Sequence, residues 1–313
     1  MSDIFFKELD IPEPDYDLGI GSGDHGYQTG KMMIKIEKVL SDEKPDCVIV
    51  YGDTNSTLAG ALVAAKKNIK IAHVEAGLRS FDKSMPEEIN RKLTDHASDI
   101  LFCPTHTAVK NLEHEGILKG VYLVGDVMLD ALNFNRKIAK RNSKIIKNLE
   151  LEEGNYLVIT VHRPSNTDKK ENMENIIEAL GKLKRKVVFP IHPRTRKSLI
   201  NFELWEKIPE NVMIIPPIGY LDMLNLLQSA DKILTDSGGV QKEAYMLGVQ
   251  CITLRDNTEW VETLEDGWNS LVGASKEKIL EAANKPKPKK DKTNIFGNGD
   301  ASKNICKYLQ EIM

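Results

Sequence analysis

Apolar residues in this chain fall into short unbroken blocks separated by longer amphipathic stretches. The blocks at 47–51, 69–74, 99–103, 121–124, 156–161, 186–191, 211–215, 231–235 and 249–254 show no strict alternation, which suits strands buried on both faces. Helical spacing marks 55–67, 86–97, 105–115, 171–184, 220–229 and 239–247 between them, and a last helix at 301–312. Strand and helix in repeated succession predict parallel, doubly wound α/β sheets. The polar stretch 135–155 separates the first four strands from the last five and reads as a hinge helix and linker between two domains. The chain opens with a helix-like segment (Ile4, Phe5, Phe6, Leu9), a loop and a second helix at 28–40, and the first strand arrives only at Cys47. A doubly wound domain ordinarily begins with a strand, so the pattern predicts either a four-strand variant or the loss of a first strand-helix unit.

Composition narrows the class without altering this layout. With 313 residues, 41% hydrophobic and 28% charged, the chain is an ordinary globular protein of two domains. A net charge of −3 and a pI near 6.2 argue against a dedicated nucleic-acid binder. No apolar run approaches the ~20 residues of a membrane helix, and the N-terminus lacks a signal-peptide pattern. Cys47, Cys103, Cys251 and Cys306 are far apart, as expected of small buried residues in a reducing cytosol. The basic Lys285–Lys290 stretch, with its two prolines, reads as a solvated loop.

Polar motifs gather where the predicted strands end, the place where open α/β sheets bind ligands. Strand 231–235 runs into Asp236-Ser237-Gly238-Gly239 and then a helix; free N–H groups and the helix dipole make such a turn an anion site. Strand 249–254 is followed by Arg255 and Glu259, strand 156–161 by His162-Arg163 and strand 186–191 by His192. In the first half, Asp53 and Glu75 follow strands, and Glu87-Glu88 follow Pro86. Each has a structural alternative. Asp53 could cap the next helix, Glu75 could pair with Arg79, Glu87-Glu88 could only open a helix, and the histidines could be satisfied core residues. Taken together, acids in one half and a diphosphate-sized anion site in the other suggest proton transfer on a nucleotide-sugar. Gly19, Gly21 and Gly23 follow no strand and lack dinucleotide-fingerprint spacing. No P-loop or G-x-S-x-G elbow is present, and His162 and His192 have no third ligand at metal-site spacing.

The stretches GDTNSTLAGALVAA, HVEAGLRS, MPEEINR, TDSGGVQKEA and LRDNTEW, in this order, resemble the non-hydrolysing UDP-N-acetylglucosamine 2-epimerases. The likeness extends from QTGKMM near the start to FGNGDAS near the end. It implies two Rossmann-like domains in a GT-B arrangement with the active site in the cleft. The N-terminal domain is expected at 1–127 and the UDP-binding domain at 128–296, with 297–313 a helix that crosses back to the first domain. It also implies interconversion of UDP-GlcNAc and UDP-ManNAc without NAD or metal: UDP leaves across C1–C2, giving 2-acetamidoglucal, and adds back with the C2 proton on the other face. By motif position Asp53, Glu75 and Glu87 resemble the family's acid/base carboxylates, and His162 its histidine near the leaving phosphate. Ser237, Gly238 and Gly239 resemble the diphosphate turn and Glu243 the acid on the ribose hydroxyls. Arg255 and Glu259 resemble groups that contact phosphate and sugar, with Arg91 and His192 as further substrate contacts. A cytoplasmic homodimer serving polysaccharide biosynthesis is the family expectation.

Two departures stand out. Many relatives carry Arg-Glu or Glu-Glu after the His162-Arg163 pair, where this chain has Pro164-Ser165-Asn166. The family's opening strand and its G-T-R-P-E loop have no counterpart, matching the missing first unit expected from the strand pattern. Two other readings stay open on the sequence: a GT-B glycosyltransferase, and a catalytically impaired UDP-sugar-binding protein.

Overall fold

The computed structural model describes Leu9 and residues 11–312. The predicted opening helix lies outside the described residues except for Leu9, which sits in a turn. The chain divides into two compact units, one of Glu13–Asp130 with 294–312 and one of Ala131–Thr293. Both are parallel α/β folds, in agreement with the predicted class.

The first unit runs α1 (His25–Glu43), β1 (Cys47–Tyr51), α2 (Asn55–Lys66), β2 (Lys70–Val74), α3 (Pro86–Ala97), β3 (Ile100–Cys103), α4 (His106–His114) and β4 (Val121–Leu123). Its sheet has the order β1-β2-β3-β4, all parallel. Thr54 starts α2 through a reciprocal capping box with Thr57, and Pro86 occupies the first turn of α3. Ala61, Val63, Ala64 and Ile71 pack with Val50 and Leu40 in one apolar cluster. A second cluster joins Ala72, Val74, Ile100, Phe102 and Val124 to Ile305 and Tyr308 of the last helix, so that helix belongs to this unit's core.

The long α5 (Val127–Asn142) leads into the second unit. There follow α6 (Ile145–Asn148), β5 (Tyr156–Thr160), α7 (Pro164–Thr167), α8 (Lys170–Gly181), β6 (Lys186–Pro190), α9 (Pro193–Asn201) and β7 (Val212–Ile215). Then come α10 (Tyr220–Gln228), β8 (Lys232–Thr235), α11 (Gly238–Leu247), β9 (Gln250–Thr253), β10 (Asn269–Leu271) and α12 (Lys276–Asn284), and the chain finishes in α13 (Ala301–Ile312). The sheet order is β10-β9-β8-β5-β6-β7, all parallel. The chain therefore leaves β5 in one direction and returns beside it at β8, which makes the β5/β8 boundary the topological switch point. One contiguous core, including Leu157, Ile159, Met173, Val187, Phe189, Leu234 and Ile252, underlies this sheet.

Nine strands were expected, and ten occur among the described residues. β10 is three residues long and polar in part, so it carries no apolar block to announce it; pairing with β9 makes it a strand. Cys103 and Cys251 are buried, Cys47 is half-buried, and Cys306 lies on the exposed side of α13, contrary to the expectation of four core residues.

Candidate active site

The polar groups of the first unit stand on two adjacent turns at the ends of β1 and β2. Tyr51 pairs with Val74, which places Gly52 beside Glu75. Gly52 adopts φ +63° and donates its N–H to the Val74 carbonyl at 3.0 Å. A Cβ there would lie 3.4 Å from Oε2 of Glu75. Glu75 itself holds φ +72°, a left-handed conformation that costs a non-glycine residue ~1–3 kcal/mol and recurs at functional sites.

Asp53 does not cap the following helix; Thr54 does. The Asp53 carboxylate instead accepts from Arg91 at 2.5 Å, and its carbonyl accepts from Asn90 Nδ2 at 3.0 Å. Arg91 is almost wholly buried, so this ion pair is shielded from water on its cationic side. Glu75 is likewise not the partner of Arg79. That guanidinium forms a bidentate pair with Glu115 (2.8 and 2.7 Å) and reaches Asp95 at 2.7 Å.

Glu87 and Glu88 divide their work. Glu88 is buried and accepts from the Ser80 N–H (2.8 Å), the Ser80 hydroxyl (2.9 Å) and the Phe81 N–H (3.3 Å), so it fastens the loop before α3. Glu87 forms no hydrogen bond or ion pair with another described residue and lies one turn from Arg91 on the same helix face.

In the second unit the groups gather at the switch point. Asp236 follows β8 with no exposed surface. Its carboxylate accepts from the backbone N–H groups of His162 (3.1 Å) and Arg163 (3.0 Å) and from Asn166 Nδ2 (3.1 Å). Asn166 also donates to the Leu254 carbonyl at 2.9 Å. The Pro164-Ser165-Asn166 departure thus supplies a buried tether between three strand ends, with Pro164 opening the short helix.

His162 is partly exposed, with its Nδ1 3.5 Å from Asp236 and its ring 5.7 Å from that of His192. Burial pushes its pKa down; Asp236 pulls the other way, and His192, Arg163 and Arg194 add to the lowering, so neutral imidazole is the favoured form. His192 caps α9, its Nδ1 accepting from the Arg194 N–H at 3.1 Å, which leaves Nε2 to carry the ring proton when the imidazole is neutral.

Ser237 caps α11, its hydroxyl facing the Val240 N–H. The N–H groups of Gly238 and Gly239 have no acceptor among the described residues and stand at the positive end of the helix. A Cβ on Gly238 would come within 2.1 Å of Oε1 of Glu259, so only glycine fits beneath that carboxylate. Burial alone would raise the Glu259 carboxyl, but the charge and hydrogen bond of Arg255, 3.0 Å away, bring it below the usual range. One turn into α11, burial raises Glu243 to about 7, against the lowering effects of its Tyr220 hydrogen bond and the Lys242 charge. Asp236, Asn166 and Tyr220 were not singled out as site residues. Asp236 lay in full view within the Gly-rich turn, whereas nothing local marks Asn166 or Tyr220.

A parallel α/β unit with free helix-head N–H groups at its switch point, in one chain with a unit whose strands end in carboxylates, suits an enzyme of nucleotide-sugars. A family model described as UDP-N-acetylglucosamine 2-epimerase matches residues 1–310. A Methanococcus maripaludis protein named UDP-N-acetylglucosamine 2-epimerase homolog is 58% identical over 316 residues, covering 100% of this chain and 88% of that protein. A Pseudomonas aeruginosa protein named UDP-2,3-diacetamido-2,3-dideoxy-D-glucuronate 2-epimerase is 48% identical, covering 100% of this chain and 88% of that one. The crystal structure of Methanocaldococcus jannaschii UDP-GlcNAc 2-epimerase in complex with UDP-GlcNAc and UDP superposes with a TM-score of 0.90 at 50% identity, over 99% of this chain and 88% of that one. The chain belongs to the UDP-N-acetylglucosamine 2-epimerase family, whose solved members have the expected GT-B-like two-domain fold.

Proposed function

We propose that this protein interconverts UDP-GlcNAc and UDP-ManNAc by elimination and re-addition of UDP. The observation that carries the reading is the unbonded Gly238 and Gly239 N–H pair at the head of α11, set under the Glu259–Arg255 pair, in a chain that matches the family over residues 1–310. C2 of the sugar is not adjacent to a carbonyl, so its proton is weakly acidic. Loss of that proton with cleavage of the C1–O bond gives 2-acetamidoglucal and UDP, and the reverse addition delivers the proton to the opposite face.

The second unit binds the nucleotide. The Ser237-Gly238-Gly239 turn takes the diphosphate, with Arg255 supplying positive charge and Glu259 holding Arg255. Glu243 accepts from the ribose hydroxyls, and His162 contributes a neutral imidazole near the departing phosphate, with His192 beside it. Stabilising the leaving diphosphate through fixed donors is the larger share of such catalysis. The first unit supplies proton transfer: Asp53, Glu75 and Glu87 serve the two faces of C2, and Arg91 sets the orientation of Asp53. The same family reading makes the protein a cytoplasmic homodimer whose product enters polysaccharide biosynthesis; no helix among the described residues is long and apolar enough to cross a membrane.

Incubation with UDP-GlcNAc in heavy water tests the proposal. Formation of UDP-ManNAc with deuterium at C2 is the expected result. Free UDP with ManNAc would point to a hydrolysing enzyme, transfer only to an added acceptor to a glycosyltransferase, and binding without exchange to an inactive binder. The Pseudomonas aeruginosa relative favours a second substrate, a UDP-2,3-diacetamido-uronate. The same assay with that sugar distinguishes the two by kcat/KM.

A further inference from the structure

His73 of β2 has no exposed surface, and both of its ring nitrogens meet acceptors. Nδ1 lies 2.7 Å from Oδ1 of Asp95, and Nε2 lies 2.7 Å from the carbonyl oxygen of Gly52. A backbone carbonyl can only accept. Asp95 is met on its other oxygen by donors, the Gly77 N–H at 3.1 Å and the Arg79 guanidinium at 2.7 Å, an arrangement that suits the ionised carboxylate. A neutral imidazole has one N–H and would turn a lone pair toward one of these two acceptors. Charge is balanced if it does not. Arg79 and an imidazolium at His73 are two cations, matched by the carboxylates of Asp95 and Glu115, and His96 adds an exposed contact to Glu115 at 3.3 Å.

We propose that His73 donates from both ring nitrogens as an imidazolium and is a positioning residue for the two carboxylate-bearing turns. This rests on the reading of Asp53 and Glu75 as proton-transfer groups. His73 grips the carbonyl of Gly52 and so sets the backbone on which Asp53 stands. Asn90 and Arg91 then hold the carbonyl and carboxylate of Asp53 itself. Asp95, held by the same imidazolium, binds the Gly77 N–H and so closes the turn that carries Glu75 at φ +72°. One buried cation thereby fastens both turns, at the Gly52 carbonyl directly and at the Gly77 N–H through Asp95.

Nitrogen NMR of the histidine side chains in the intact protein reads the first half of this at neutral pH. Both ring nitrogens of His73 are expected in the protonated range; an unprotonated nitrogen on that ring overturns the proposal, whatever the enzyme's activity. His73→Gln keeps one donor but cannot bridge Asp95 and Gly52. It is expected to lower kcat for C2 exchange about 100-fold, the scale of an ångström-sized misplacement, while KM and UDP affinity move less than about 3-fold. An unchanged kcat, or equal losses in kcat and UDP affinity, overturns the positioning role. Should His73→Gln fail to fold, the ring-nitrogen signals of the native protein still decide the charge. Should the native protein fail to exchange C2 hydrogen, the functional reading falls while those signals remain readable.

Discussion

The two units hold their working groups in place by opposite means. In Ala131–Thr293 the candidate groups are backbone N–H donors at a helix head, and the carboxylates around them are buried and paired: Asp236 with three donors, Glu259 with Arg255. In Glu13–Asp130 the candidate groups are carboxylates, on turns made by Gly52 and Gly77 at positive φ and by Glu75, a non-glycine residue strained into the same region. Fixed dipoles need no conformational freedom to stabilise a departing diphosphate, so a rigid, satisfied scaffold serves them. A proton-transfer group must sit within hydrogen-bond reach of one hydrogen, and spending backbone strain to aim it is the recurrent solution. The contrast predicts that variants in one unit separate from variants in the other: binding fails in the second unit, chemistry in the first.

The largest effects fall on the acids. Glu75→Gln and Asp53→Asn are expected to slow C2 exchange by about 10²–10⁴-fold, with UDP affinity nearly unchanged by calorimetry. A matching loss of UDP affinity would break the division between the units.

Glu243 comes next, through pH. Its folded pKa of about 7 stands above the ordinary 4.5, so its contribution to stability is fully present below 4.5 and is lost as pH rises through about 7. The shift corresponds to about 3 kcal/mol at most, and Glu243→Gln should abolish that slope in denaturant titrations compared across this window. Ribose hydroxyls prefer the ionised acceptor, so UDP should bind the native protein more tightly as pH rises through about 7, and Glu243→Gln should show no such rise.

Gly238→Ala presses a methyl group into the Glu259 carboxylate. Displacing that pair is expected to cost about 2 kcal/mol of UDP binding, a roughly 30-fold loss, with C2 exchange at saturating substrate reduced far less. The smallest effect is at Thr54. Removing this cap (Thr54→Ala) should lower stability by about 1 kcal/mol and leave UDP affinity intact. Unchanged stability in Thr54→Ala would overturn the capping assignment.

The class of fold was readable along the chain, because buried parallel strands write themselves as unbroken apolar blocks, and the polar motifs stand on the loops at the carboxyl ends of those strands. The helix start at Ser237-Gly238-Gly239 was legible for the same local reason: a serine cap followed by glycines after a strand opens a helix whatever surrounds it. Strand order was not, since nothing between residues 156 and 235 says that β8 returns beside β5 and makes their junction the switch point. The partners of the charges were equally hidden. Arg79 lies four residues from Glu75 yet pairs with Glu115, thirty-six residues away, and Asp53 reaches Arg91 rather than capping its own helix. His73 stands inside an apolar block, and nothing local says that Asp95 and the Gly52 carbonyl meet its two nitrogens. Hydrophobic period and turn chemistry act over a few residues and can be read in one dimension, whereas the pairing of buried charges depends on which elements meet, and only the packed tertiary structure decides that.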